Sequence, residues 1–355
     1  MTNAELFSPL TIRSVTLRNR VVVSPMCQYS SDDGFASDWH LVHLGSRAVG
    51  GAGLVFTEAA SVEARGRITP ADLGIWKDEH VTMLARIVTF IKQQGAVAGV
   101  QIAHAGRKAS CRVPWEGGAP ILLSAGGWPT VAPSPVPFRE TDPRPIDLST
   151  AATKVLVEAF AASARRALAA GFEVLEIHGA HGYLIHEFLS PLSNVREDGY
   201  GGSFENRIRF ALEVAGAVRA AWPERLPLFM RISCTDWIEG GWDIGQSVRL
   251  AAQLKDAGVD LVDCSSGALA PQQQIALGPG YQVPFAERIR RESGVMTGAV
   301  GLITEPEQAD AIIRNGQADL VLLARAMLRD PYWAIHAAKA LNREAAIPVQ
   351  YGRGF

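Results

Sequence analysis

Three side chains that can donate protons or hydrogen bonds lie within six residues of one another: His178, His181 and Tyr183. The apolar stretch 174–177 before them predicts a buried strand, which the glycines at 179 and 182 interrupt. Imidazoles can donate hydrogen bonds to an oxygen that gains negative charge, and a phenol can supply a proton. The pattern therefore predicts an acid–base cluster at the end of one strand.

A zinc site is the alternative interpretation of the two histidines, which are three residues apart. Such a site needs at least one further protein ligand, for which Glu176 or Glu187 could serve. The sequence contains neither His-Glu-x-x-His nor a paired-cysteine motif. We therefore expect no bound metal, and a metal-dependent barrel hydrolase stays the second hypothesis.

Composition narrows the class of protein. The chain has 355 residues, of which 48% are hydrophobic and 20% charged, as in ordinary globular enzymes. A net charge of −2 without a Lys/Arg cluster argues against nucleic-acid binding. No secretory signal starts the chain, and no apolar run is long enough to cross a bilayer. The four cysteines are far apart and predict no disulfide: Cys27, Cys111, Cys234 and Cys264. We expect a cytoplasmic protein that acts on small molecules.

A weak internal repeat indicates the architecture. Four times a helix-like stretch ends at glycine and a short apolar run follows, at residues 50–58, 170–177, 257–263 and 315–323. Four more apolar runs fit the same rhythm, at residues 20–24, 96–102, 226–232 and 294–298. Eight such strands alternating with helices predict an α/β fold, a (β/α)8 TIM barrel. The rival open sheet lacks a Gly-x-Gly-x-x-Gly after its first strand.

Two segments do not follow the repeat. Residues 7–18 alternate apolar and polar side chains around a turn, which predicts an N-terminal hairpin. Residues 111–149 contain eight prolines together with Trp115 and Trp128. A long insertion after a barrel strand is typical of a lid or pocket wall, so we expect an active-site rim. We predict that residues 1–355 form a single domain.

The ends of the other strands predict a cofactor. Phosphate commonly binds the loops after barrel strands 7 and 8, which correspond here to residues 297–301 and 323–326. Arg325 could bind the phosphate, or it could cap a helix at the surface. Gln101 and Arg231 could contact a flat heterocycle across the barrel mouth. Gln101 could equally be a buried strand-end amide, and Arg231 an ion-pair partner of Glu58 or Glu176.

Several sequence blocks resemble one known family. They include Ser24-Pro-Met-Cys-Gln-Tyr29, Gln101-Ile-Ala-His-Ala-Gly-Arg-Lys108, His178-Gly-Ala-His-Gly-Tyr-Leu-Ile-His-Glu-Phe-Leu189, the block 193–207 and Tyr351-Gly-Arg-Gly-Phe355. The chain is similar nearly end to end to the Old Yellow Enzyme family of FMN-dependent ene-reductases, in its bacterial thermophilic-like subgroup. That family has the flavin-holding barrel that the repeat predicts.

The resemblance implies a role for each matching residue. FMN would be bound without a covalent link by Ser24, Pro25, Met26, Cys27, Ala59, Gln101, Arg231, Gly298, Ala324 and Arg325. NADPH or NADH would reduce it, and flavin N5 would then transfer hydride to an α,β-unsaturated substrate. His178 and His181 would bind the substrate oxygen, and Tyr183 would donate a proton. Tyr29 would contact the substrate, and Cys27 would modulate the flavin potential.

The resemblance also implies an oligomer. Arg353 would reach into the active site of a neighbouring subunit in a homodimer or homotetramer. Two positions depart from relatives: Ala324 replaces a glycine, and Val300 replaces a tryptophan of some xenobiotic reductases. We expect the charged block 193–207 to be structural. A third hypothesis is a non-catalytic flavin protein that senses redox state through Cys27.

Overall fold

The computed structural model describes residues 5–354. Phe355 of the predicted C-terminal motif lies outside that range. The strands are β1 (Leu10–Ile12), β2 (Val15–Leu17), β3 (Val21–Val23), β4 (Leu54–Ser61), β5 (Val97–Ala103), β6 (Val131–Ala132), β7 (Ile146–Asp147), β8 (Val174–Gly179), β9 (Leu228–Ser233), β10 (Leu261–Ser265), β11 (Met296–Ala299) and β12 (Leu320–Leu323). The α-helices are α1 (Asp38–Val49), α2 (Val81–Gln93), α3 (Thr150–Ala169), α4 (Leu184–Leu189), α5 (Phe204–Ala221), α6 (Ile244–Asp256), α7 (Val283–Ser293), α8 (Pro306–Arg314), α9 (Arg325–Arg329) and α10 (Trp333–Ala340).

Eight parallel strands form a closed barrel in the order β3-β4-β5-β8-β9-β10-β11-β12. The barrel closes where Val321 to Leu323 of β12 pair with Val21 to Val23 of β3. Every residue of β3, β4, β5, β8, β9, β10 and β12 is buried, as expected for strands covered by helices on the outside and by packed side chains within. The predicted TIM barrel is confirmed, and with it all eight predicted strands.

The glycines of the repeat lie where the helices end. Gly51, Gly171, Gly258 and Gly316 follow α1, α3, α6 and α8, and all have a positive φ. Glycine adopts this left-handed conformation without steric cost, so it turns the chain from each helix into the next strand. The local sequence thus fixes the direction from which each strand enters the barrel.

The N-terminal hairpin is also confirmed, since Leu10 of β1 pairs with Leu17 of β2. Arg13 at its turn forms an ion pair with Asp260, with 2.7 Å between nitrogen and oxygen. Asp260 immediately precedes β10, so the hairpin contacts the barrel where strands begin. It therefore lies opposite the strand ends that carry the predicted site.

The insertion 111–149 is held against the barrel. It contains two short 3-10 helices, Pro114–Glu116 and Leu123–Ala125, and the paired strands β6 and β7. Trp128 donates from its indole nitrogen to the Arg65 carbonyl at 2.8 Å, and Arg196 donates to the Pro133 carbonyl at 2.9 Å. Arg196 also forms an ion pair with Asp198, so the charged block 193–207 makes the structural contacts expected of it. Within residues 5–354, no helix combines the length and apolar character needed to cross a membrane.

Candidate active site

The turn that carries two of the predicted catalytic side chains, residues 180–183, follows β8 directly. His181 and Gly182 both have left-handed backbone conformations, with φ of 59° and 67°. A Cβ at Gly182 would lie 2.3 Å from the backbone oxygen of Ala268, so only glycine allows this close approach. Tyr183 then precedes the first turn of α4. His181 is therefore a non-glycine residue in a strained backbone conformation, which its surroundings must hold in place. Such residues are common at functional sites.

The three predicted catalytic side chains meet in space. The ring centroid of His178 lies 5.1 Å from that of His181 and 5.1 Å from that of Tyr183. His178 is buried, whereas His181 and Tyr183 are partly exposed. The Nε2 of His181 lies 2.6 Å from the Ser265 hydroxyl, and its backbone N–H donates to Ser233. The predicted acid–base cluster is therefore assembled at the carboxyl ends of β8, β9 and β10.

The cluster is held uncharged by its surroundings. Burial lowers the pKa of His178 and of His181 well below the usual range, and Arg231 and Lys108 lower both further. Burial also raises the pKa of the Tyr183 phenol well above its usual range. At neutral pH the site thus offers two neutral imidazoles and a protonated phenol, all of which can donate hydrogen bonds.

His186 and Asp236 form a buried pair that anchors the turn after β8. His186 in α4 accepts a hydrogen bond from the Gly182 backbone N–H at 2.9 Å through Nδ1. Its Nε2 must then carry the proton, which it donates to Asp236 at 2.8 Å. Ser190 also donates to Asp236. The turn that carries His181 is therefore anchored to a fully buried carboxylate.

Arg231 of β9 is buried and has three polar side chains near its guanidinium group. It forms a close ion pair with Asp263 and lies 3.8 Å from Glu176, and it donates to the Ser24 hydroxyl at 2.7 Å. Gln101 is buried and donates to Glu176 at 2.7 Å, as a strand-end amide would, and its contact with a cofactor stays a prediction.

Of the two expected ion-pair partners of Arg231, only Glu176 contacts it. Glu58 instead accepts a hydrogen bond from the Gln28 backbone and lies 3.1 Å from His40. The closest partner of the guanidinium, Asp263, was not predicted. Its signal in the sequence is a single acidic residue within the apolar strand β10.

A cavity of about 330 Å³ lies beside this network at the ends of β11 and β12. Ser24, Arg231, Ala324 and Arg325 line it, together with residues 300–304. Guanidinium groups and loop N–H groups are the donors that bind phosphate in barrel enzymes. The predicted phosphate site is thus brought together with Arg231.

The other predicted cofactor residues lie around the same mouth. Pro25 lines the cavity, and Met26 and Cys27 follow it in the loop after β3. Ala59 lies in β4. Gly298 is buried in β11, where a Cβ would approach the Leu322 side chain to 2.5 Å. The close packing against Leu322 explains why a glycine occupies this position. A contact between Gly298 and a cofactor stays a prediction.

The two other predicted substrate residues, Tyr29 and Arg353, lie on separate segments of the chain. Tyr29 has a φ of 50°, and its ring packs edge-on against Trp115 of the insertion at 5.8 Å. Arg353 is exposed on the C-terminal turn, next to Tyr351. The single chain does not bring Arg353 into the cluster, so its role across a subunit interface stays a prediction.

Lys108 is a site residue that the sequence analysis did not assign. Its ammonium group donates to the His181 carbonyl at 2.8 Å and lies 5.0 Å from the centre of the Tyr183 ring. Burial lowers the pKa of Lys108 to about 8. The block 101–108 had been recognised, but nothing local indicates that this side chain reaches the turn after β8.

The metal alternative gains no support from the geometry. Within residues 5–354, no three side chains of His, Cys, Asp or Glu are grouped so that they could hold a metal ion. Glu176 and Glu187, the candidate third ligands, are instead engaged by Gln101 and by the Arg107 backbone.

Comparison with known proteins shows to which protein family the chain belongs. Residues 5–344 match the profile of the NADH:flavin oxidoreductase / NADH oxidase family. The chain belongs to this family. It is 51% identical to an NADPH dehydrogenase of Geobacillus sp. (strain WCH70), over 99% of this chain and 98% of that protein. It is 48% identical to an NADPH dehydrogenase of Bacillus subtilis (strain 168), over 99% of both chains.

A solved structure agrees with the sequence matches. Morphinone reductase superposes with a TM-score of 0.81 at 26% identity, over 97% of this chain and 91% of that one. The resemblance to the Old Yellow Enzyme family is thereby confirmed. As a family member the protein is an oxidoreductase that uses FMN and a reduced nicotinamide coenzyme, which displaces the hydrolase hypothesis.

The barrel mouth fits FMN. Ten buried side-chain N or O atoms have no hydrogen-bond partner within residues 5–354, and three of them lie on β8, β10 and β11: Glu176 Oε2, Asp263 Oδ1 and Thr297 Oγ1. All three belong to strands of the barrel wall around Arg231. A cofactor with ring donors and acceptors, and with a phosphate for the cavity beside β11 and β12, matches this set of groups.

Proposed function

We propose that this protein is an ene-reductase, which reduces the activated C=C bond of α,β-unsaturated carbonyl compounds and related electrophiles. The observation that carries the proposal is the cluster of His178, His181 and Tyr183, three uncharged donors beside the cofactor site. Bound FMN would supply the hydride, which it takes from the nicotinamide coenzyme and passes from N5 to the alkene.

The two histidines would bind the substrate oxygen. Because both imidazoles are neutral, they stabilise a developing oxyanion by donated hydrogen bonds rather than by full charge. The Nδ1 of His178 faces the Ala180 N–H at 3.3 Å, which favours the tautomer with the proton on Nε2. That proton is then available to the substrate. His181 is positioned by Ser233 and Ser265.

Tyr183 would donate the proton to the alkene carbon that does not receive hydride. Its raised pKa keeps the phenol protonated, and its edge-on contact with His178 fixes the ring. Lys108 lies near the same ring. A positive charge there would stabilise the phenolate that remains after the proton has left.

We assign FMN to the strand ends of the barrel. The residues that would hold it are Ser24, Pro25, Met26, Cys27, Ala59, Gln101, Arg231, Gly298, Ala324 and Arg325. Arg231 would place positive charge near the reduced ring, and Arg325 would bind the phosphate. NADPH is the proposed reductant, because both relatives described above are NADPH dehydrogenases.

Stopped-flow measurement of the two half-reactions tests the proposal. In the FMN-loaded Tyr183→Phe variant, NADPH should reduce the flavin at the normal rate, whereas re-oxidation by cyclohexenone should slow strongly. Only the second step needs a proton delivered to carbon. Tyr200→Phe is the control, because Tyr200 bonds Glu213 away from the site. Wild-type protein that is reduced by NADPH but not re-oxidised by any activated alkene would refute the proposal.

A further inference from the structure

The insertion 111–149 encloses a second and larger cavity. Its volume is about 510 Å³, and Tyr29 and Lys108 are among the residues that line it. Lys108 contacts both His181 and Tyr183, so the cavity adjoins the place where hydride transfer is proposed. No role in the reaction described above requires a space of this size.

The charge around this outer cavity is strongly one-sided. Five cationic side chains line it against one carboxylate, that of Asp142; the cations are Arg107, Lys108, Arg112, Arg139 and Arg144. Two of them are occupied by backbone carbonyls: Arg107 donates to Leu269, and Lys108 to Ala268. The remaining three arginines are exposed at the mouth of the cavity.

These three arginines have few partners of their own. The guanidinium of Arg139 forms a 4.0 Å ion pair with Asp142 and lies 5.4 Å from the centre of the Phe138 ring, and that of Arg112 forms a 3.6 Å ion pair with Glu116. Arg144 has no hydrogen bond or ion pair with any other residue in the range 5–354. Exposed pairs at such distances are weak and readily exchange partners. The mouth can therefore receive a multiply charged anion.

The walls between these cations are apolar. Ile121, Leu122, Trp128 and Phe138 line the cavity together with several prolines. Apolar walls with a few charged groups at one end suit a ligand that carries a flat hydrophobic ring next to a phosphate. An inorganic anion alone would leave most of this surface without a partner.

We propose that the outer cavity binds the adenosine 2′-phosphate half of NADPH, with Arg139 and Arg144 on the 2′-phosphate. The inference rests on the proposed function, because the nicotinamide must reach the flavin beside His178 and His181. The cavity adjoins that position, its walls suit an adenine ring, and its excess of positive charge complements the phosphates. The insertion would thereby make the enzyme prefer NADPH to NADH.

Variants of the two arginines test the site in the FMN-loaded enzyme. Arg139→Gln and Arg144→Gln should each raise the Kd for NADPH in the reductive half-reaction by roughly tenfold or more, since each loses a charge-assisted bond. The Kd for NADH should not change. Arg165→Gln is the matched control: it is also an exposed arginine with one carboxylate partner, Glu158, but lies on α3.

Titration calorimetry provides a readout that is independent of turnover. The oxidised holoenzyme should bind 2′,5′-ADP more tightly than 5′-AMP, and the double variant should lose that difference. Equal losses for NADPH and NADH, or no loss for either, would overturn the site. A raised KM for cyclohexenone with unchanged NADPH binding would show that the cavity holds substrate instead. Re-oxidation of dithionite-reduced enzyme by cyclohexenone checks the ene-reductase activity separately.

Discussion

At the scale of single residues, the site depends on groups that stay uncharged. Burial disfavours the charged form of His178 and of His181, and so do the nearby cations Arg231 and Lys108. Both therefore stay neutral donors well into the acid range. Hydrogen bonds to the substrate oxygen should accordingly be insensitive to pH across the neutral range, which leaves pH dependence to other groups.

Cys27 is a residue whose influence can be measured directly. Burial, with Asp72 and Glu58 nearby, raises the pKa of this thiol well above its usual range, so it is a neutral thiol beside the proposed flavin. Cys27→Ser keeps the size and changes the polarity. Because hydrogen bonding near a flavin sets its electronics, we expect a shifted midpoint potential with the fold unchanged.

Cys111→Ser is the control for that measurement. Cys111 is also a free cysteine, but it lies in the insertion and lines the outer cavity. Its replacement should leave the potential unaltered. A Cys27→Ser protein with the wild-type potential and only a changed Tm would mean that the thiol is merely a packing group.

At the scale of elements, the turn between β8 and α4 positions the proposed catalytic side chains His181 and Tyr183. Gly182→Ala would force a Cβ against the Ala268 backbone, where a small shift cannot relieve the clash. We expect a loss of about 2–4 kcal/mol in stability and slower re-oxidation by cyclohexenone, because His181 and Tyr183 flank this residue. Thermal unfolding and stopped-flow traces measure the two effects.

Gly202→Ala separates strain from contact in that experiment. Gly202 has a comparable φ of 75°, but a Cβ there meets nothing within 4 Å. Its replacement should cost only the conformational strain, on the order of 1 kcal/mol, and should leave the rates unchanged. Equal destabilisation by the two substitutions would refute the importance of the close approach to Ala268.

The strands β8, β9 and β10 share a buried charge network that should titrate. Burial, and then Asp263, raise the pKa of Glu176 above its usual range, although Arg231 opposes this. The folded protein therefore holds a proton that the unfolded chain releases as the pH rises above the ordinary carboxyl pKa. The free energy of unfolding should fall as the pH rises through that window.

Glu176→Gln should remove this contribution, because glutamine carries no titrating proton and its amide oxygen can still accept from Gln101. We expect the difference between the Tm of the variant and that of the wild type to increase in favour of the variant as the pH rises from about 5 to about 8, at a fixed FMN concentration. Parallel Tm curves for the two proteins would show that Glu176 does not titrate in this window.

The elements that could be predicted from the sequence are those whose formation depends on a short stretch of neighbouring residues. A glycine after a helix and an apolar run after it are sufficient to place a barrel strand, so all eight were located within a few residues. The pairing of Arg231 with Asp263 depends on the neighbouring register of β9 and β10, which no local pattern encodes. The outer cavity could likewise not be predicted from the sequence, because a proline-rich insertion has no periodicity that indicates how it packs.

At the scale of the whole molecule, the C-terminal turn exposes large apolar side chains. Val349 is 90% exposed and Tyr351 43% exposed, and the Tyr351 ring lies 6.1 Å from that of Tyr332. Exposed apolar side chains with a neighbouring arginine are typical of a protein interface. We propose that this turn packs on a second subunit and that Arg353 enters the active site of that subunit.

Removal of residues 351–355 should then weaken both subunit association and substrate binding, whereas Arg353→Ala in the full chain should raise the KM for cyclohexenone with association retained. The two variants differ because the aromatic contact holds the subunits together and the guanidinium alone would reach the substrate. Sedimentation velocity and steady-state kinetics at matched concentrations measure both quantities. A fully active monomer at the assay concentration would rule out shared sites, since Arg353 lies on the exposed C-terminal turn and could then act only within its own chain.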